Sequence, residues 1–242
     1  MVSKNQIKLI TSLVQKKYRK QHGLFFAEGV KVIDELLNSN FELDHIFITK
    51  PMFFDVDEKK KTIITDSELK KISALTTSND SLAIFKIPKD KKIIKEGLIV
   101  ALDDVRDPGN LGTIIRLCDW FGIKQLICSE QTVDLYNPKV VQATMGSISR
   151  VNVSYVDLKE TLQELRLPVY GTFMDGENIY KTNLQQNAVI VLGNEANGIS
   201  SEIEKITTHK IAIPRFGDLQ VTESLNVATA TAIVLSEFRR GT

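Results

Sequence analysis

Ile213-Pro214-Arg215-Phe216-Gly217, followed after Asp218–Thr222 by Glu223-Ser224-Leu225-Asn226-Val227-Ala228, is the stretch around which the chain is organised. A strand that stops at Ile-Pro, a glycine turn, and then Ser and Asn at the mouth of an Ala/Thr/Val-rich helix set small polar groups beside exposed backbone amides. Pro214 has no N–H and ends the ladder, while Gly217 opens backbone conformations closed to other residues. Glu223 or Ser224 is expected to satisfy first-turn amides of a final helix running to about Arg239. The result is a cradle for a small ligand.

Two further stretches bear on it: Asn110-Leu111-Gly112-Thr113-Ile114-Ile115-Arg116, and Val191-Leu192-Gly193-Asn194-Glu195-Ala196-Asn197-Gly198-Ile199-Ser200. Leu98–Leu102 and Ala188–Leu192 are continuous apolar runs, as expected of strands covered on both faces of a parallel sheet. Ligands of open α/β sheets gather at the carboxyl ends of such strands, and all three stretches fall there. Between them lie Gln125–Cys128, a helix through Met145, the strand Val151–Tyr155, a helix from Leu158 to Leu165, and a strand Val169–Phe173. Asn110 is expected to cap the helix that runs to Phe121, with Arg116 on a narrow polar strip beside Thr113 and Trp120.

Taken in order, the three stretches resemble the motifs of the SpoU/TrmH branch of the SPOUT RNA methyltransferases. The resemblance implies transfer of a methyl group from S-adenosylmethionine to a ribose 2′-hydroxyl in RNA, ribosomal RNA ahead of transfer RNA. It also implies a homodimer and an α/β fold: a SPOUT-type parallel sheet with a C-terminal trefoil knot, preceded by a small ribosomal-protein-like α/β domain that binds the RNA. Residue by residue, Arg116, Asn110, Glu195, Ser224 and Asn226 take the catalytic positions. Thr172, Leu192, Gly193, Asn194, Ile213 and Leu225 take the cofactor positions. Asp218–Thr222 lengthens the usual spacing after the glycine, and Thr76–Ser81 replaces a glycine-containing loop of many relatives. The rival from another class is an RNA-binding or assembly protein that keeps the fold without turnover.

Composition agrees with two globular parts. With 43% hydrophobic residues in 242, the chain can bury a core, and no apolar run approaches the roughly 20 residues of a membrane span. The start, Met1–Gln6, lacks a signal-peptide core, which reads as cytoplasmic. A net charge of +1 conceals an asymmetry: residues 1 to 97 hold 18 Lys/Arg against 13 Asp/Glu, the remainder 13 against 17. The excess of base lies in the half expected to meet a polyanion. Residues 1–96 read as the substrate-binding domain with its linker, Pro88–Lys92, and 97–242 as the catalytic domain.

In the first half, residues 3 to 20 show helical apolar spacing with Lys16, Lys17, Arg19 and Lys20 at one end, a cluster suited to the helix dipole or to phosphate. Phe25–Gly29 leads to a helix through Leu37, Leu43–Ile48 and Leu82–Ile87 read as strands, and Asp66 or Ser67 is expected to cap a helix through Leu75.

The chemistry is narrowed by what is missing. The chain has no Walker loop, no GxGxxG after a strand, no HExxH and no GxSxG. His22, His45 and His209 stand outside the motifs, no metal is expected, and Cys118 and Cys128 read as buried small hydrophobes. An activated sulfonium donor asks the protein mainly to align donor and nucleophile. A guanidinium holds its proton far above neutral pH, so Arg116 reads as a clamp on a substrate phosphate rather than a literal base, or else as the salt-bridge partner of Glu195. Glu195 either orients Arg116 or meets substrate, and Asn110 either caps or positions.

Overall fold

A computed structural model describes residues 1–77, 79–89, 91–216 and 224–240. Two compact units emerge, Met1–Asp90 with Asp134–Ser149, and Lys91–Val133 with Arg150–Thr242.

In the first unit the order is α1 (Lys4–Ser12), α2 (Lys16–His22), β1 (Leu24–Glu28), α3 (Val30–Leu37), β2 (Leu43–Ile48), β3 (Lys61–Ile63), α4 (Asp66–Ile72) and β4 (Ser81–Lys86). The sheet runs β1-β4-β2-β3, with β4 antiparallel to both neighbours and β2–β3 parallel. Strand alternation gives it two apolar faces. Phe26, Phe47, Leu82 and Ile84 bury against Ile10 and Leu13 from the α1 end and Leu69 and Ile72 of α4. Phe25 lies opposite Phe85 in register, their rings 5.7 Å apart, with Phe41 closing on both. A Thr65–Glu68 capping box starts α4, in place of the expected Asp66 or Ser67, because only Thr65 has the extended backbone a cap requires.

The expected single helix over residues 3 to 20 is two. It breaks at Leu13–Gln15, and the freed carbonyls of Leu13 and Val14 accept hydrogen bonds from Arg19 Nη1 at 2.7 and 2.8 Å. Arg19, 2% exposed, is therefore a structural member of its basic cluster, whereas Lys16, Lys17 and Lys20 stay on the surface.

Glu28 closes β1 inside this unit. It is 4% exposed and accepts from the Ala74 N–H at 2.9 Å and from the Ser73 hydroxyl. Burial pushes its carboxyl above the ordinary glutamate range, against the smaller opposing effect of those two bonds. A carboxyl raised on folding stabilises the fold fully at acid pH and loses that contribution as pH rises through its folded value. Glu28→Gln keeps an acceptor for Ala74 and is expected to remove the loss. Urea midpoints of variant and wild type should converge near pH 4 and separate in the variant's favour by pH 7; parallel profiles would refute this.

The second unit opens with β5 (Leu98–Leu102), α5 (Pro108–Trp120) and β6 (Gln125–Ser129). The chain then crosses to the first unit for α6 (Pro138–Thr144), which packs on β1. It returns for β7 (Asn152–Val156), α7 (Leu158–Leu165), β8 (Val169–Asn178), β9 (Ala188–Leu192), α8 (Ser201–Glu204), β10 (His209–Ala212) and α9 (Val227–Phe238). All six strands are parallel, in the order β10-β8-β9-β5-β6-β7. Every residue of β5, β6 and β9 is buried, which explains their unbroken apolar sequences. Cys118 and Cys128 are buried free thiols, raised by desolvation and inert.

Candidate active site

The order of the sheet dictates where the motifs meet. From β5 the chain moves through α5 to β6 on one side, and β9 lies on the other, in register at Leu102↔Leu192. The crevice at such a switch point, beyond the strand ends, is where open α/β sheets hold ligands. Asp103 seals the two ends together: its N–H donates to the Leu192 carbonyl at 2.9 Å, and its carboxylate accepts from the Ser200 N–H at 2.7 Å.

The loop after β9 doubles back sharply. Asn194 and Gly198 exchange both backbone hydrogen bonds, and a Cβ on Gly193 would stand 2.2 Å from the Gly198 carbonyl carbon. No side chain fits there, so glycine is required by the loop itself. Asn194 Oδ1 accepts from the Ala196 and Asn197 N–H groups, and its Nδ2 donates 2.7 Å to the Asp104 carbonyl. Glu195 is thereby presented to solvent at the strand end.

Helix α5 is capped by Asp107, whose Oδ1 accepts the Asn110 N–H at 2.8 Å, and Pro108 stands at its first turn. The cap expected at Asn110 is thus three residues early, and the Asn110 side chain is released for the site. Its Nδ2 donates 2.6 Å to Glu195 Oε1, and its Oδ1 accepts from Asn226 Nδ2 at 2.9 Å. Asn226, in place of the expected Ser224, caps the last helix, with Oδ1 accepting from the Ala228 and Thr229 N–H groups. Because that carbonyl faces the α9 amides, the other end of the Asn226 amide must present N–H to Asn110. One chain of oriented amides therefore runs from the α9 N-terminus through Asn226 and Asn110 to Glu195.

These residues border an open depression of about 660 Å³, lined by Arg106, Asp107, Asn110, Asn194, Glu195 and Asn226 with the loop residues Ala196 and Asn197. Thr172 follows Gly171, which pairs with Val191, and its hydroxyl donates 3.1 Å to the Val191 carbonyl. Leu192 is buried, Ile213 is half-buried just past β10, and Ser224 and Leu225 are exposed immediately before the Asn226 cap. Gly217, Asp218–Thr222 and Glu223 lie outside the described residues. Arg116 is exposed on α5 with Thr113 and Trp120 and does not line the depression. The expected pairing with Glu195 is not formed: Glu195 is held by Asn110, and Arg116 has no hydrogen bond or ion pair among the described residues.

The donor set suits a sulfonium nucleoside. The depression offers the neutral amides of Asn110, Asn194 and Asn226 and the carboxylates of Asp107 and Glu195, whereas Thr172, Leu192, Gly193, Ile213, Ser224 and Leu225 are not among its lining residues. Bound there, S-adenosylmethionine would supply an activated methyl group. Asp103, Asp104, Arg106 and Asp107 were missed by motif reading, although so many charges directly after an apolar strand are themselves a signal.

Fold and strand-end site together define an α/β protein with a ligand crevice at a parallel switch point. Residues 97–236 match the SpoU rRNA methylase family, and the chain belongs to that family. It is a methyltransferase whose donor is S-adenosylmethionine. Residues 4–83 match the MRM3-like substrate binding domain. A TrmH-family protein from Porphyromonas gingivalis is 38% identical, with a TM-score of 0.90 and full coverage of both chains. An S-adenosylmethionine-bound rRNA methyltransferase from Sinorhizobium meliloti is 28% identical, TM-score 0.86, covering 99% of this chain and 97% of that one. The 23S rRNA (guanosine(2553)-2′-O)-methyltransferase RlmP of Bacillus subtilis is 27% identical over 98% of this chain and 97% of its own.

Proposed function

We propose that the chain methylates a ribose 2′-hydroxyl of ribosomal RNA. The observation that carries this is the amide chain from the α9 cap to Glu195, which brings three loops far apart in sequence to one strand-end crevice. Polar groups aligned before substrate arrives need no reorganisation during reaction, the condition for electrostatic stabilisation of a developing alkoxide. In this reading Thr172, Leu192, Gly193, Asn194, Ile213 and Leu225 hold the cofactor, and Ser224, Asn226, Asn110 and Glu195 order the target ribose. Arg116 grips a phosphate, and the proton passes to water or phosphate oxygen. RlmP, a relative aligned along nearly the whole chain, is named for 23S ribosomal RNA, which favours ribosomal over transfer RNA. The surplus of lysine in residues 1–97 supports backbone affinity in the N-terminal part of the chain.

The reading includes pairing of two copies and the trefoil knot, both implied by family resemblance, and a cytoplasmic location. Trp120, 84% exposed one turn past Arg116, is apolar surface of the kind a second copy covers. Among the described residues no helix is long and apolar enough to cross a membrane.

Purified chain with labelled cofactor is expected to methylate ribosomal RNA from a strain lacking the gene, at a single ribose, and to leave wild-type RNA unlabelled. Cofactor binding by calorimetry without label in any RNA would instead support a non-catalytic RNA-binding protein.

A further inference from the structure

We propose that Arg106 is a second guanidinium for the RNA backbone, pre-set by Asp104 at the rim of the crevice; the inference rests on the RNA substrate assigned above. Asp104 has φ +59°, in the left-handed region that side chains other than glycine seldom occupy. Its backbone is held there from both ends: the N–H donates to Ser129 Oγ at 2.9 Å and the carbonyl accepts from Asn194 Nδ2 at 2.7 Å. In that conformation the carboxylate takes Arg106 side-on, Nε to Oδ1 and Nη2 to Oδ2, each at 2.8 Å. The Arg106 side chain is 71% exposed, and an ion pair so wetted contributes too little to offset a left-handed backbone. Stability alone does not account for the arrangement.

Charge at the crevice supplies the reason. Of the described residues lining it, Asp107 and Glu195 are anionic and Arg106 is the sole cation. An incoming polynucleotide adds a negative charge with each phosphate and would be repelled without a counter-charge. Asp104 occupies one edge of the guanidinium and leaves the Nη1/Nη2 edge without a partner among the described residues, pointing a planar fork outward. Such a fork matches two phosphate oxygens, and a side chain already fixed loses less freedom on binding. Arg116 lies outside this lining, so the two guanidinia address different phosphates.

The test uses the full chain, ribosomal RNA from a strain lacking the gene, and salt titrations of RNA binding. Arg106→Gln is expected to raise KM for RNA about tenfold, leave the cofactor Kd within twofold, and reduce the slope of log K against log salt by about one. Arg106→Lys should restore the slope while recovering only part of the affinity. Asp104→Asn, which tolerates the left-handed backbone, should raise KM several-fold with the slope unchanged. An unchanged slope in Arg106→Gln, with wild-type activity intact, would reduce the pair to a loop latch and overturn the proposal. A wild-type chain that neither binds nor methylates RNA would overturn the substrate assignment and this inference together.

Discussion

Arg116→Ala is expected to lower methyl transfer to RNA by at least about 10²- to 10³-fold, the range for removing one preorganised group that stabilises developing charge. The fold does not need the guanidinium: Arg116 is exposed on α5 and makes no hydrogen bond or ion pair among the described residues. Its removal should therefore change stability by no more than about 0.5 kcal/mol, so that the kinetic loss reports function. Arg116→Lys separates charge from fork geometry, because an ammonium keeps the salt dependence of binding but cannot hold two phosphate oxygens in one plane. Retention of more than a tenth of wild-type turnover by the alanine variant would remove Arg116 from the reaction. Arg116 does not line the depression that holds Asn110 and Glu195, and in the proposed pairing of two copies it serves the partner's site. Mixed Arg116→Ala and Asn110→Ala subunits are then expected to recover activity that neither has alone.

How much of this could be read beforehand depended on how local each feature is. The strands Leu98–Leu102 and Ala188–Leu192 have the bounds that their apolar runs suggest, because full burial on both faces leaves no polar residue inside them. Helix starts were harder. Asp107, Asn110, Ser224 and Asn226 are all competent caps, and backbone geometry selects among them. Pro108 did mark Asp107, since proline favours the first helical position. The second task of Asn226 could not be read at all, for its partner Asn110 is 116 residues away. Arg19 misled for the same reason: among lysines it resembles a surface charge, and only tertiary structure shows it buried. Sequence order likewise places Asp134–Ser149 with the second half, while contacts place the segment in the first unit.

That buried arginine carries a large stability effect of its own. Arg19 donates from Nε to Asp134 Oδ2 at 3.0 Å and from Nη2 to the same oxygen, in addition to its bonds to Leu13 and Val14. Asp134 begins the segment that carries α6, and the same segment sets Tyr136 against Phe25, ring centroids 4.7 Å apart. Its far end is as closely fitted: a Cβ on Gly146, at φ +96°, would stand 2.5 Å from Glu35 Cβ. Arg19 is buried and Asp134 half-buried, so removing Asp134 strands a buried guanidinium, at a cost of about 3–5 kcal/mol. Asp134→Ala should therefore lower the melting temperature of the first unit by at least about 12 °C at roughly 4 °C per kcal/mol. Arg19→Met combined with Asp134→Leu removes both charges and should recover much of that loss, although the Leu13 and Val14 carbonyls then lose their donor. Thermal melts of the single and double variants decide the matter. A single variant that melts within about 3 °C of wild type would mean that the pair is exchanged for water without penalty, and that the segment is held by Tyr136 and Gly146 instead.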